Sequence, residues 1–507
     1  MKIALFNWAP IHGNFDEGGG AGIYLKNIAH ALSERGHDVT VLSSGFFYDL
    51  TNKNIFLRRH IEKKSNIRYI DIINSRVIAP AYAMFHNIEL CMHEESTKNA
   101  VRTFLLDCGP FDILHIQNIE GIPFSTLELR SEFPNTKFIL SNHNYHAICQ
   151  QVNLWYNEES SCGDYYDGIA CYSCMTNQIQ FPHFFAIRAL TTRFNRKLVP
   201  DDQQSIINFI MSYKELDLTW FNDFKIYDKS FDKRSIDLYG KNKFFYRRHK
   251  AVQLINDHID HILSVSECVE DIVVKYGMDP RKSIVSYIGT RHFSGTFERK
   301  KRFDPEKLNI CFMGYARKDK GFYFLLDAFS NMPTDLHGKL SLTFAGKIEN
   351  EIDLNRLRSL ERYLSGITIV KQYTHADIPL ILSTIDIGVV PPLWYDALPQ
   401  VAIEFVCNGV PILVSDKGGQ KEIINHDDFV FTGGDIQSFW NRIRKILFNP
   451  NSIDEFWDAG VRVYSMEGHI DNLLSIYHVA PPARLPTVLP STSQSPPSLP
   501  RFEKKPI

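Results

Sequence analysis

Short apolar runs along the chain alternate with longer stretches whose apolar positions recur at helical spacing. Lys2 to Asn7 reads as a buried strand, followed by a loop ending in Gly18-Gly19-Gly20-Ala21-Gly22. Ala21, Leu25, Ile28, Ala29 and Leu32 then recur every three or four residues, the mark of a helix with one buried face. Gly36 ends that helix, and Val39 to Leu42 is the next strand. Strand, glycine loop, helix, strand implies a right-handed crossover and a parallel sheet. Further strands are expected at Ile113 to Ile116, Phe138 to Leu140 and Ile259 to Ser264, with a helix over Val269 to Tyr276. A second series runs from Ile310 to Met313 through Leu342 to Ala345, Ile367 to Val370, Ile387 to Val390 and Ile412 to Val414, with a helix over Phe322 to Phe329.

This pattern divides the chain into an α/β unit over 1–289, a polar linker over 290–308 and a second α/β unit over 309–478. The aromatic, mostly helical stretch at about 176–250 does not fit a strand-helix-strand unit and reads as an insertion in the first. Pro and Ser dominate 479–507, which predicts a disordered tail. Both units are read as doubly wound.

Composition narrows the function. The 507 residues carry 56 basic and 58 acidic side chains, with 44% hydrophobic and 22% charged. That is ordinary globular usage, and it excludes a coiled coil, a collagen-like repeat or a wholly disordered chain. The near-neutral balance argues against nucleic acid as a partner. No run approaches the ~18 to 20 apolar residues of a membrane helix, and Met1 to Phe6 lacks the features of a signal peptide, so a cytoplasmic location is expected.

The candidate chemistry sits where strands end. The glycine loop, Gly20 included, can bring backbone amides to a phosphate or sugar at a helix N-terminus, or simply form a flexible turn. Gly314 to Gly321 follows a strand and carries Arg317, Lys318 and Lys320, cations suited to a diphosphate; a solvated charge run is the alternative. Pro391 to Glu404 follows another strand, and Pro399 suits a helix start. This places Asp396 just before the helix and Glu404 inside it. His143 stands at the end of a strand, as either a ligand-facing or a structural histidine. His146 and His115 are weaker candidates of the same kind.

Cys149, Cys162, Cys171 and Cys174 are spaced C-x12-C-x8-C-x2-C. Four thiolates of this kind could hold a structural zinc; a disulfide-prone cluster or buried free thiols are the alternatives. The other five cysteines (Cys91, Cys108, Cys268, Cys311 and Cys407) read as buried thiols. Lys241, Lys243, Arg247, Arg248 and Lys250, interleaved with Phe244, Phe245 and Tyr246, read as a solvated helix face or a peripheral membrane contact over Lys241–Lys250.

The segment Trp394-x-Asp396-x-x-Pro399-x-Val401-x-x-Glu404 resembles the donor-binding motif of the family 4 retaining glycosyltransferases, whose two glutamates are separated by seven residues. Gly409-Val410-Pro411 and Ser415-Asp416-x-Gly418-Gly419-x-x-Glu422 also match, as does Lys320-Gly321, whereas Arg317 sits later than the usual arginine. The one clear departure is Asp396 in place of glutamate. The resemblance implies a GT-B fold, two Rossmann-like domains facing a cleft, and transfer of a sugar from a nucleotide-diphosphate donor to an acceptor hydroxyl with retained configuration. It further implies a bacterial cell-surface type, acting on a glycan or lipid-linked acceptor. In this reading Gly20, Arg317, Lys320, Gly321, Pro399, Gln400, Val401 and Glu404 bind the donor, and His143 and Asp396 position its sugar. No cofactor is required for catalysis, with zinc confined to the cysteines. A sugar-nucleotide epimerase and a non-catalytic binder degenerate at Asp396 remain as alternatives.

Overall fold

The computed structural model describes residues 1–13, 18–49, 52, 54–61, 66–175, 188, 192, 242–293, 299, 304, 307–348 and 350–482. Most of the expected insertion, much of the linker and the tail beyond 482 lie outside these residues.

Two parallel sheets organise the chain. The first combines β1 (Lys2–Asn7), β2 (Asp38–Ser44), β3 (Phe56–Ile61), β4 (Arg68–Ile73), β5 (Ile113–Ile116), β6 (Lys137–Asn142), β9 (His261–Ser264) and β10 (Ser283–Val285). Their order is β10-β9-β6-β5-β1-β2-β4-β3, parallel throughout except for β3 against β4. That antiparallel edge strand, Phe-Leu-Arg-Arg-His-Ile, lacks the continuous apolar run of its neighbours and was not anticipated from the sequence. The helix α1 (Gly19–Glu34) covers the sheet with Leu25, Ile28 and Leu32, all fully buried.

The second sheet holds β12 (Leu308–Met313), β13 (Leu340–Ala345), β14 (Gly366–Val370), β15 (Ile387–Val390), β16 (Ile412–Ser415) and β17 (Val430–Phe431). Its order, β14-β13-β12-β15-β16-β17, reverses direction beside β12, so loops after β12 and β15 diverge at a switch point where open sheets bind ligands. The short pairs β7 (Trp155–Tyr156) with β8 (Ser160–Ser161), and β11 (Gly289–Thr290) with β18 (Tyr464–Ser465), complete the strands. The expected doubly wound architecture with two Rossmann-like units is what the chain adopts. Among the described residues no helix is long and apolar enough to cross a membrane.

The helix Met466–His478, within the stretch read as the second unit, packs on the first. Tyr24 Oη lies 2.6 Å from His469 Nε2, Tyr477 Oη lies 2.8 Å from His115 Nδ1, and Lys137 Nζ donates to the Tyr477 carbonyl at 2.6 Å. Its apolar face, Ile470, Leu473, Ile476 and Tyr477, gives a sequence pattern no different from a helix packing on its own sheet, so periodicity could not reveal the crossing.

The helix Lys243–His258 corrects the reading of the basic run. Arg247 and Arg248 point inward: Arg247 donates to the Ala147 carbonyl at 3.1 Å and Arg248 Nε to the Ile148 carbonyl at 2.5 Å. The Arg248 guanidinium also lies 3.3 Å from the centre of the Tyr165 ring. Arg247 and Arg248, committed to buried carbonyls, are therefore not part of a solvated face, and Phe244 is buried with them, while Lys241 lies outside the described residues.

Because the returning helix depends on Leu473, Leu473→Ala should destabilise the fold by about 2–5 kcal/mol. Chemical denaturation is expected to show a lower midpoint for the loss of the 466–478 contacts; an unchanged midpoint would contradict this packing.

Candidate functional site

The loops at the carboxyl ends of both sheets enclose a cavity of about 970 Å³. From the first domain come Gly19, Gly20, Tyr24 and His143, and from the second Lys320, Asp396, Pro399, Gln400, Val401 and Glu404, among others. Eight residues predicted from the sequence therefore converge although they lie as far apart as Gly20 and Glu404.

The short segment after β15 carries Asp396. Gly419 N–H donates to the Asp396 carbonyl at 2.8 Å, and Ser266 Oγ, from the first domain, donates to the Ala397 carbonyl at 2.7 Å. Pro399 precedes the helix Gln400–Cys407, whose first turn opens on the cavity. Asp396 is buried, and its Oδ2 accepts from Lys320 Nζ at 2.6 Å, while that ammonium also lies 4.9 Å from the centre of the Trp394 ring. An ammonium between a carboxylate and an aromatic face still has donors to offer an anion in the cavity. Gln400 Nε2 donates to the Gly20 carbonyl at 2.7 Å, joining the two lips of the cleft. The glycine loop and the second-domain helix are thus in direct contact.

Glu404 is also buried, with Oε1 3.4 Å from His375 Nδ1. Burial pushes its carboxyl up from the ordinary range, and the neighbouring imidazole partly offsets this. His143 Nε2 lies 3.0 Å from Gln117 Oε1, and its ring stands 4.9 Å from that of Tyr24. Burial, then repulsion from His469, pulls His143 down to about 4, so it is neutral near pH 7. Gln117 and His375 had no signal in the sequence, since a glutamine just after a strand and a histidine opening a short helical turn carry no spacing rule. Trp394 was visible only as part of a motif.

Two predicted donor residues do not line the cavity. Arg317 makes a two-point pair with Asp319, at 2.9 and 2.8 Å, which leaves its guanidinium committed. Gly321 instead allows a close approach: its φ is +79°, and a Cβ there would meet the Pro391 carbonyl oxygen at 2.0 Å. His115 is held between Tyr477 and Ser141 and pulled down to about 3 by burial, and His146 is buried beside Arg247. Neither lines the cavity.

None of the four clustered cysteines is in a disulfide. Burial first, then neighbouring thiols and other charges, push Cys162 up to about 12; for Cys174, burial is again the main cause, raising it to about 11. Asn157 N–H donates to Cys174 Sγ at 3.4 Å, a contact that suits a sulfur ligand. No three of the sulfurs lie within 4.8 Å of one another, so a metal would have to draw them together. The same segment touches the loop that carries Asp396, with Ser161 Oγ donating to the Leu393 carbonyl at 2.8 Å.

Residues 294–460 match the family described as Glycosyl transferases group 1. Over nearly the whole chain the architecture is similar to a sucrose-phosphate synthase from Thermosynechococcus elongatus, with a TM-score of 0.54, 14% identity, and 94% and 98% of the two chains covered. The fold is GT-B. Other GT-B structures agree: Anabaena HepE in complex with UDP-glucose, at a TM-score of 0.50 and 13% identity, is covered over 99% of its chain and 94% of this one. In sequence, an uncharacterized glycosyltransferase of Methanocaldococcus jannaschii is 25% identical over 191 residues, and spore coat protein SA of Bacillus subtilis 24% over 183. These alignments cover 36% and 33% of this chain. The chain spans about half the length of the curated relatives it matches, 48% in each case.

If Lys320 is the cavity's phosphate-facing cation, Lys320→Ala should weaken a nucleoside diphosphate by roughly 10-fold or more, as the loss of a charged hydrogen bond of ~1.5–3 kcal/mol requires. Calorimetric titration should show little change for the bare nucleoside. Equal losses for both ligands would remove this role.

Proposed function

We propose that the protein is a retaining glycosyltransferase of the family 4 type. It would move a sugar from a nucleotide-diphosphate donor to a hydroxyl of a glycan or lipid-linked acceptor in cell-surface glycan synthesis. The observation that carries this is the meeting of Asp396, Lys320, Glu404 and His143 in one two-domain cavity. Solved GT-B neighbours in complex with UDP and with UDP-glucose support a nucleotide-sugar donor.

Each residue has a distinct task in this reading. Glu404, inside a helix and buried, accepts hydrogen bonds from the ribose hydroxyls of the nucleotide. Lys320 and the amides opening the helix Gln400–Cys407 take the charge that develops on the leaving diphosphate. Neutral His143 and anionic Asp396 hold the transferred sugar from opposite domains. The bond from the anomeric carbon to the phosphate oxygen breaks as the acceptor oxygen approaches on the same face. The departing phosphate takes the acceptor proton, so no protein base is required. The clustered cysteines would hold a structural zinc that orders the loop beside Leu393, with Arg248 offsetting the charge of four thiolates. Purified protein should then carry about one zinc per chain, and Cys171→Ser should lower both metal content and thermal stability; full stability without metal would reject this.

The roles of the two acids are separable by kinetics. Glu404→Ala should raise the donor KM by a factor on the order of 10 to 100. Asp396→Asn should lower kcat with little change in KM. Asp396→Glu distinguishes a tuned enzyme, which it impairs, from a degenerate binder, which it activates. Since burial raises the Glu404 pKa, protonation begins at higher pH than for an ordinary carboxylate. Donor KM should therefore climb as pH falls toward the acid side, and Glu404→Gln should flatten that climb. An untouched donor KM in Glu404→Ala would remove the assignment.

A further inference from the structure

A second cluster of ligand-type side chains lies on the first domain, outside the cleft cavity. Asp71 sits in β4, opposite Ser43 of β2 on one side and Arg58 of β3 on the other. His60 is two residues further along β3, and His12 comes from the loop after β1. Asp71's carboxylate is fully buried, and Ser43 Oγ donates to its Oδ1 at 2.6 Å. His12 Nε2 lies 3.0 Å from Asp71 Oδ1, and His60 Nε2 lies 2.8 Å from Oδ2. The three ligand atoms are all within 4.8 Å of one another, the one such group among the described residues.

The polar contacts of the cluster converge on one imidazole nitrogen and one carboxylate oxygen. Arg58 Nε–H donates to His60 Nε2 at 3.0 Å, so that nitrogen presents a lone pair. The same nitrogen faces Asp71 Oδ2, itself an acceptor, at 2.8 Å. A cation between them satisfies both groups, as does a proton carried on His60 Nε2. His12 Nε2 also lies 3.1 Å from Oδ2, and Arg58 brings a fixed positive charge to the same oxygen: its Nη2 is 3.3 Å away, its side chain is about one-third exposed, and its guanidinium lies 4.6 Å from the centre of the Phe47 ring.

We propose that His12, His60 and Asp71 bind one divalent transition-metal ion, whose place Arg58 holds when the ion is absent. Two imidazoles and one carboxylate suit Zn²⁺, Co²⁺ or Fe²⁺ and not Mg²⁺ or Ca²⁺, which take oxygen ligands. Ser43 supplies the outer hydrogen bond that fixes the ligating carboxylate. Three protein ligands leave coordination open to water or to an anionic or hydroxyl group. The site is near the carboxyl ends of β2 and β4, on the same sheet edge as the glycine loop but separate from the cavity, which none of the three residues lines.

Cobalt titration of the full chain tests this, because cobalt bound to imidazole and carboxylate shows a visible d–d band without the near-ultraviolet charge transfer that thiolates produce. Wild type should show that band saturating at about one ion per chain. His60→Gln, a partly exposed change that spares buried Asp71, should remove it while any thiolate band stays. The thermal midpoint of His60→Gln without metal serves as the folding control. Ser43→Ala should weaken cobalt by roughly 10- to 100-fold. Arg58→Gln should tighten it, because the competing charge is gone. A wild type without saturable cobalt binding outside the cysteines, a His60→Gln protein that binds like wild type, or weaker binding in Arg58→Gln would each overturn the proposal.

Discussion

The carbonyl oxygens of Asp396 and Ala397 accept hydrogen bonds from opposite domains, and the rest of the cleft depends on this. Gly419 holds the first from within the second domain, and the Ser266 hydroxyl holds the second from across the cleft. A peptide segment fixed at two successive carbonyls has little freedom left, so its side chains are aimed by backbone position. The cost of a close approach is met by Gly418, where φ is +80° and a Cβ would strike the Asp396 carbonyl oxygen at 2.2 Å. The Asp396 carboxylate can then reach Lys320 without an intervening water.

The same two domains are registered at a second point. Glu422, three residues beyond Gly419, places its carboxylate at the N-terminus of the first-domain helix Glu267–Lys275, accepting from the Glu267 and Cys268 amides at 2.8 Å each. A carboxylate at the positive end of a helix is a favourable pairing, and here the cap and the helix belong to different domains. Tyr287 Oη adds a contact to the same carboxylate at 2.9 Å. With the helix Met466–His478 returning to the first sheet, separation of the domains must break charged hydrogen bonds near the site, and not only apolar contacts at the far side.

How far the sequence reveals this follows from where information is local. The strands were legible because buried parallel strands are continuous apolar runs, and the pair Asp396 and Glu404 because strand, loop and helix occur within one short segment. Two such series in tandem made the two doubly wound units legible, and the resemblance of the donor motif is what implied their GT-B arrangement. Arg317 shows the limit of such a pattern, because a charge run after a strand looks the same whether its guanidinium lines the cavity or, as here, pairs with a neighbouring Asp319. The basic stretch over Lys241–Lys250 misled for a related reason. Arginines that reach buried carbonyls of a distant loop have the composition of a surface patch. The partners Gln117 and His375 are set by tertiary proximity alone, and no periodicity in their own segments could mark them.

Charge within the cavity sets a final constraint. Its lining carries Lys320, Lys347 and Lys371 against Asp377, Asp396 and Glu404, so it has little spare positive charge before any ligand enters. A single ammonium can be nearest to only one anion at a time. Lys320 is nearest to Asp396, at 2.6 Å, and an incoming anion at that position must compete with a buried carboxylate for the same donor. Residue 396 therefore cannot be treated apart from residue 320. Shortening or lengthening the acid by one methylene changes its own reach, and also how strongly the lysine is held against an incoming anion. The substitution of aspartate for the glutamate of the resembled motif is in this sense a change to both members of a pair, made at one of them.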